Sequence, residues 1–73
     1  MKIKISRHAQ RQMKWRQIAD AEVESTIADP EMLQDSVKGR KNAFKTLGGR
    51  QLKVTYCREG DDIVIVTAVI KGK

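Results

Sequence analysis

His8 is the one side chain of this sequence whose unperturbed charge changes near neutral pH, and it stands among cations. Residues 6 to 16 read SRHAQRQMKWR, which places Arg7, Arg11, Lys14, Arg16 and the single tryptophan, Trp15, around it. Histidine is the default general acid or base. Cleavage of RNA by its own 2′-hydroxyl needs one group to take that proton and another to protonate the leaving oxygen. It also needs cations around the phosphorane. His8 fits either proton-transfer role, and Arg11, Arg50 or Arg58 fits the cationic one. The structural alternative is a first-turn histidine that ties a helix to a strand.

Two basic clusters stand out: Arg7, Arg11 and Lys14, then Lys38, Arg40 and Lys41. Each cation that neutralises a phosphate releases counterions, so binding through them is salt-dependent. Both clusters can equally be solvated faces. The second falls in a turn around Gly39, where three cations have no structural task, and that sets phosphate contact level with the solvated reading there. Trp15 and Tyr56 are the aromatics that could stack on bases, although core packing is the commoner use of Phe44 and Tyr56. Cys57 has no histidine at a spacing that would activate it and reads as a small half-buried residue. Asp61-Asp62 reads as turn chemistry before metal binding. No metal or cofactor is expected.

These residues must be positioned by a short chain. Seventy-three residues make a single domain, 1–73, because a second core could not be enclosed. Domains this small lean on disulfides, metals or association. One cysteine and one histidine supply neither of the first two, so association is the remedy left open. The net charge is +6, which suits RNA or an acidic partner protein as well as ordinary solubility. No run approaches the roughly 20 apolar residues that span a bilayer, so no membrane role is expected. A reduced, cytoplasmic setting is the simplest reading.

Periodicity supplies the elements. Lys2 to Ser6 alternates like a short strand. Ser6 then caps a helix from Arg7 to about Arg16 or Gln17, with Ile5, Ala9 and Met13 on one stripe and His8, Arg11 and Trp15 on a neighbouring one. Asp20 is the expected N-cap of a second helix, carrying Val23 and Ile27 and stopped by Asp29-Pro30. Met32 to Val37, Ala43 to Leu47 and Leu52 to Cys57 read as strands, with Gly48-Gly49 as a hairpin turn. Ile63 to Ile70 is apolar on both faces. Strict alternation puts Ile63, Ile65 and Val69 on one face and Val64, Val66, Ala68 and Ile70 on the other. Such a strand wants cover on both sides. The expected fold is α+β, with a short N-terminal strand and two helices packed on one face of a three- to four-stranded antiparallel sheet.

The stretch from His8 to Ile18 resembles the opening of a family of short bacterial domains of unknown function, whose signature runs roughly HAxxRMxxRxI. An acidic helix ending at Pro30 follows, then Gly39-Arg40, then a strand with Gly48, Gly49, Leu52, Val54 and Tyr56, and a closing Ile65-x-Thr67. That family resembles, in element order, the RelE and BrnT ribonuclease toxins of toxin–antitoxin systems. The resemblance implies a RelE-like fold and a metal-independent endoribonuclease, or an RNA-binding relic of one. His8, Met13, Arg16 and Ile18 match, whereas Gln12 stands where the signature has arginine. Arg11 points about 100° away from that position on a helix.

Two functions compete. In the first, His8 acts as acid or base, Arg16, Arg50, Lys53 and Arg58 grip phosphate, and Tyr56 positions a base or shares a proton. Arg11, Lys38, Arg40 and Lys41 extend the RNA contact, and an acidic antitoxin-like protein covers the Ile63–Ile70 strand. In the second, the chain is a non-enzymatic homodimer joined through that strand, with His8 and Arg16 as structural residues.

Overall fold

A computed structural model describes residues 2–71. The elements run β1 (Ile3–Ile5), α1 (Arg7–Arg16), α2 (Asp20–Ala28), β2 (Met32–Asp35), a 3-10 turn (Val37–Gly39), β3 (Lys41–Leu47), β4 (Arg50–Glu59) and β5 (Asp62–Lys71). The fold is α+β, but the sheet corrects the expectation in two ways. It has five strands, in the order β1-β5-β4-β3-β2, and it is mixed. The first strand joins it, pairing parallel to β5 with Ile3 beside Ile63 and Ile5 beside Ile65. All other pairs are antiparallel. Gly48 and Gly49, with φ of 58° and 82°, make the two-residue turn between β3 and β4 that positive φ at both centres permits.

Both helices lie on one sheet face. Ala9 and Met13 of α1, Ile18 in the turn and Val23 of α2 are buried with Leu52, Val54, Tyr56, Ile63, Ile65 and Ala68. Fully burying an aliphatic side chain of this size is worth about 1.5–3 kcal/mol, so this layer is the main source of stability. Ala68 and Ile70 lie with Ile63 and Ile65, not opposite them. The cause is a β-bulge: Thr55 pairs with Thr67 but Tyr56 pairs with Ile65, which leaves Val66 as the extra residue and shifts the alternation by one. Val69 falls to the helix-free face beside Lys53.

Local chemistry fixes the helix ends. Ser6 caps α1, its hydroxyl accepting the Ala9 N–H at 3.1 Å. The helix closes with Gln17 in the left-handed conformation and the Ile18 N–H on the Met13 carbonyl at 2.8 Å, while buried Ile18 seals the turn. The N-cap of α2 is Ala19, one residue before the expected Asp20. This puts Glu22 at the third helical position, where its carboxylate accepts the Ala19 N–H at 2.8 Å. Thr26 is fully buried beside Val23, because its hydroxyl donates to the Glu22 carbonyl at 2.8 Å.

Candidate functional site

The α1 helix divides its surface by spacing. Ala9 and Met13 face the sheet. His8, Arg11, Gln12, Trp15 and Arg16, at i, i+3, i+4, i+7 and i+8, line a groove of about 310 Å³ along one flank. Its charged residues are all basic or imidazole. Trp15 is 86% exposed, an unusual position for so large an apolar ring in a chain with three aromatics.

Gln12 shows where the groove lies. β1 ends at Ile5, beside Ile65, so among the described residues β5 has no strand on that side beyond this point. The Gln12 side-chain oxygen takes over, accepting the Ala68 N–H at 3.2 Å and the Thr67 hydroxyl. Ser6 reaches the neighbouring Val66 carbonyl at 3.4 Å. The groove thus runs along the open edge of β5, with Gln12 filling the edge from its floor. An arginine at position 12 has only donors and could not accept the Ala68 N–H.

Arg50 is engaged elsewhere. Its guanidinium donates to the backbone carbonyls of Arg16 and Gln17 at 3.2 and 3.3 Å and to both Glu22 carboxylate oxygens at 3.0 and 2.9 Å. It joins the negative C-terminal end of α1, the first turn of α2 and the start of β4. The Ala19 N–H and then Arg50 hold the Glu22 carboxyl below its ordinary value, against a smaller opposing effect of burial.

At the other end of the sheet a row of partners runs Ile5, Ile65, Tyr56, Lys41, Asp35. Tyr56 is buried here. Lys41 bonds Asp35 at 2.8 Å, which raises the Lys41 pKa and lowers that of Asp35. Arg58 is exposed two residues beyond Tyr56. Arg50 and Arg58 lie at opposite ends of β4, separated by about 27 Å at 3.3–3.4 Å per residue. Since Ser6 bonds the Ile65 carbonyl, α1 starts at the Tyr56 end and finishes at Arg50. His8 therefore stands toward Tyr56, and Arg16 toward Arg50.

The residues named from sequence thus divide into groups. His8, Arg11 and Arg16 share the α1 flank; Tyr56, Arg58 and Lys41 share the sheet end; Arg50 ties the helices together. Lys53 alternates with Val54 onto the helix-free face. Lys38 and Arg40 sit at the turn between β2 and β3, Lys38 exposed with φ of 58°. Cys57 is free and half-buried. Gln12 and Thr67 carry contacts that sequence reasoning did not assign to them, and only the end of β1 relative to β5 could have flagged them. No helix among the described residues is long and apolar enough to cross a membrane.

No curated protein and no solved structure matches the chain. A family model described as Domain of unknown function (DUF4258) matches residues 5–70, from the end of β1 to the penultimate residue of β5. The match embraces both helices, the whole basic flank and the four later strands, and the chain belongs to the DUF4258 family.

Proposed function

We propose that this chain is an RNA-directed module of the RelE/BrnT toxin kind that takes single-stranded RNA along the flank of α1. The observation that carries the reading is the 86% exposed Trp15 set between Arg11 and Arg16 in a groove without an acidic residue. A ring with a free face stacks on any base, and the flanking guanidiniums meet the phosphates on either side. The run of a strand, two helices and then hairpin-linked strands supports the RelE-like comparison, with the parallel β1 as a difference.

In this reading His8 is the catalytic base. It takes the 2′-hydroxyl proton while that oxygen attacks the adjacent phosphorus, the P–O5′ bond breaks, and the departing 5′-oxygen takes a proton from solvent water, which then recovers the proton held by His8. The products are a 2′,3′-cyclic phosphate and a 5′-hydroxyl. Arg11 and Arg16 offset charge on the phosphorane. Arg58 is exposed at the His8 end and serves the strand that continues beyond it, whereas Tyr56 is buried in the core and has no part in the contact.

Incubation with a labelled single-stranded RNA in EDTA tests both parts. The expected outcome is binding that weakens steeply with salt, and cleavage that His8→Ala abolishes while retaining affinity. Binding with intact RNA would confine the role to RNA binding. No binding at low salt would remove the reading altogether. Expression in bacteria, with growth and total RNA followed, tests the toxin reading itself.

A further inference from the structure

The two edges of the sheet are finished differently, and the difference points to an interaction surface. On the β1–β5 side the open stretch of β5 is filled by Gln12 and Ser6. On the other side β2 ends the sheet with nothing beyond it among the described residues. All four of its residues are exposed, including Met32 and Leu33, and exposed Val37 follows within two residues. Edge strands are usually guarded by lysine, proline or a bulge. The segment MLQD contains no lysine or proline. Its one charge, Asp35, is already paired with Lys41.

The charges flanking β2 are ordered. Asp29 and Glu31 precede it, where Asp29 also pairs with Lys45 at 3.6 Å and Glu31 also accepts the Thr46 N–H at 3.2 Å, and Lys38 and Arg40 follow. Pairing β2 antiparallel with itself, about a two-fold axis near Leu33-Gln34, sets the acidic flank of one copy against the basic flank of the other at both ends. Parallel self-pairing would set like charges together. The same antiparallel pairing brings Met32 and Leu33 of each copy over the other's strand, where neighbours on one face are in reach. A two-fold contact of this kind is self-complementary by construction.

We propose that β2 docks a second copy of this chain, antiparallel, to give one continuous sheet with the helices of both copies on the same face. It covers an edge whose one charge, Asp35, is tied to Lys41, and buries the exposed Met32 and Leu33. The surface is separate from the α1 flank, so it stands or falls independently of the RNA reading.

Sedimentation at about 100 μM protein tests it. The wild-type chain is expected to sediment at twice its 8.3 kDa mass, and Leu33→Lys, which places a guarding charge on the edge, at the single-copy mass. The decisive arm uses charge reversal. Lys38→Glu with Arg40→Glu, and separately Asp29→Lys with Glu31→Lys, should each run as one copy, while an equimolar mixture recovers the two-copy mass. Recovery requires both variants to be folded, so it excludes unfolding as the cause. A single-copy wild type, a two-copy Leu33→Lys variant, or a mixture that stays at single-copy mass would each overturn the proposal.

Discussion

Arg16 and Arg50 touch, yet their charges serve different ends. Arg50 gives its guanidinium to two helix carbonyls and the Glu22 carboxylate, one of them the carbonyl of Arg16 itself. The Arg16 side chain lines the groove with Arg11 and Trp15 and forms no ion pair among the described residues. Net charge alone treats the two as equal. What faces each guanidinium decides the matter: acceptors from the end of α1 and the first turn of α2 converge on Arg50, whereas Arg16 projects from a helix flank that no carboxylate borders among the described residues.

Breaking each side of that comparison should give opposite signatures. Arg11→Ala with Arg16→Ala removes two cations from the groove and nothing from the fold. RNA affinity should fall tenfold or more, and the slope of log affinity against log salt should shrink by about 1.4, at roughly 0.7 per phosphate on single strands. The melting temperature should stay within about 1 °C, as for most exposed substitutions. Arg50→Ala should reverse the pattern. Losing charged hydrogen bonds at a half-buried site costs about 1–2 kcal/mol after discounting for solvent. At about 4–8 °C per kcal/mol for a domain of this size, calorimetry should see a clear drop in melting temperature. RNA affinity of the folded fraction should hold.

Gln12 sharpens the comparison, because it lines the groove but works for the fold. Gln12→Leu should lower stability by about 1 kcal/mol by orphaning the Ala68 N–H, and Gln12→Glu, which keeps an acceptor, should restore most of it. The smallest effect concerns pH. The folded Glu22 carboxyl lies below its ordinary 4.5, so its contribution is present above that value and is lost as pH falls through the lowered one. Melting temperature should decline below about pH 4.5, less steeply in Arg50→Ala, where the Ala19 N–H remains the sole strong partner.

Local rules made some of this legible in the sequence. The Ala9–Met13 stripe, the Ser6 cap, the stop at Pro30 and the Gly48-Gly49 turn all depend on residues within a few positions of each other. What escaped depends on distant partners. The parallel pairing of Ile3–Ile5 with Ile63–Ile65 spans nearly the whole chain, and no local pattern encodes it. The bulge at Val66 exists only relative to Thr55 and Tyr56, so alternation assigned Ala68 and Ile70 to the wrong face. Arg50 meets Glu22 across 28 positions, which made a brace look like a free cation. His8 and Arg16 were visible as neighbours on α1, but the exposure of Trp15 and the duty of Gln12 needed the third dimension.

Trp15 also offers the most direct test of the central claim, because it is the only tryptophan. Its fluorescence can be followed while a single-stranded RNA is added at low salt. The account predicts saturable quenching as a base stacks on the exposed ring, reversed by added salt, and weakened about tenfold in midpoint by Arg11→Ala with Arg16→Ala. Fluorescence that stays unchanged while anisotropy of the labelled RNA reports binding would place the RNA elsewhere on the molecule and contradict the assignment of the α1 flank.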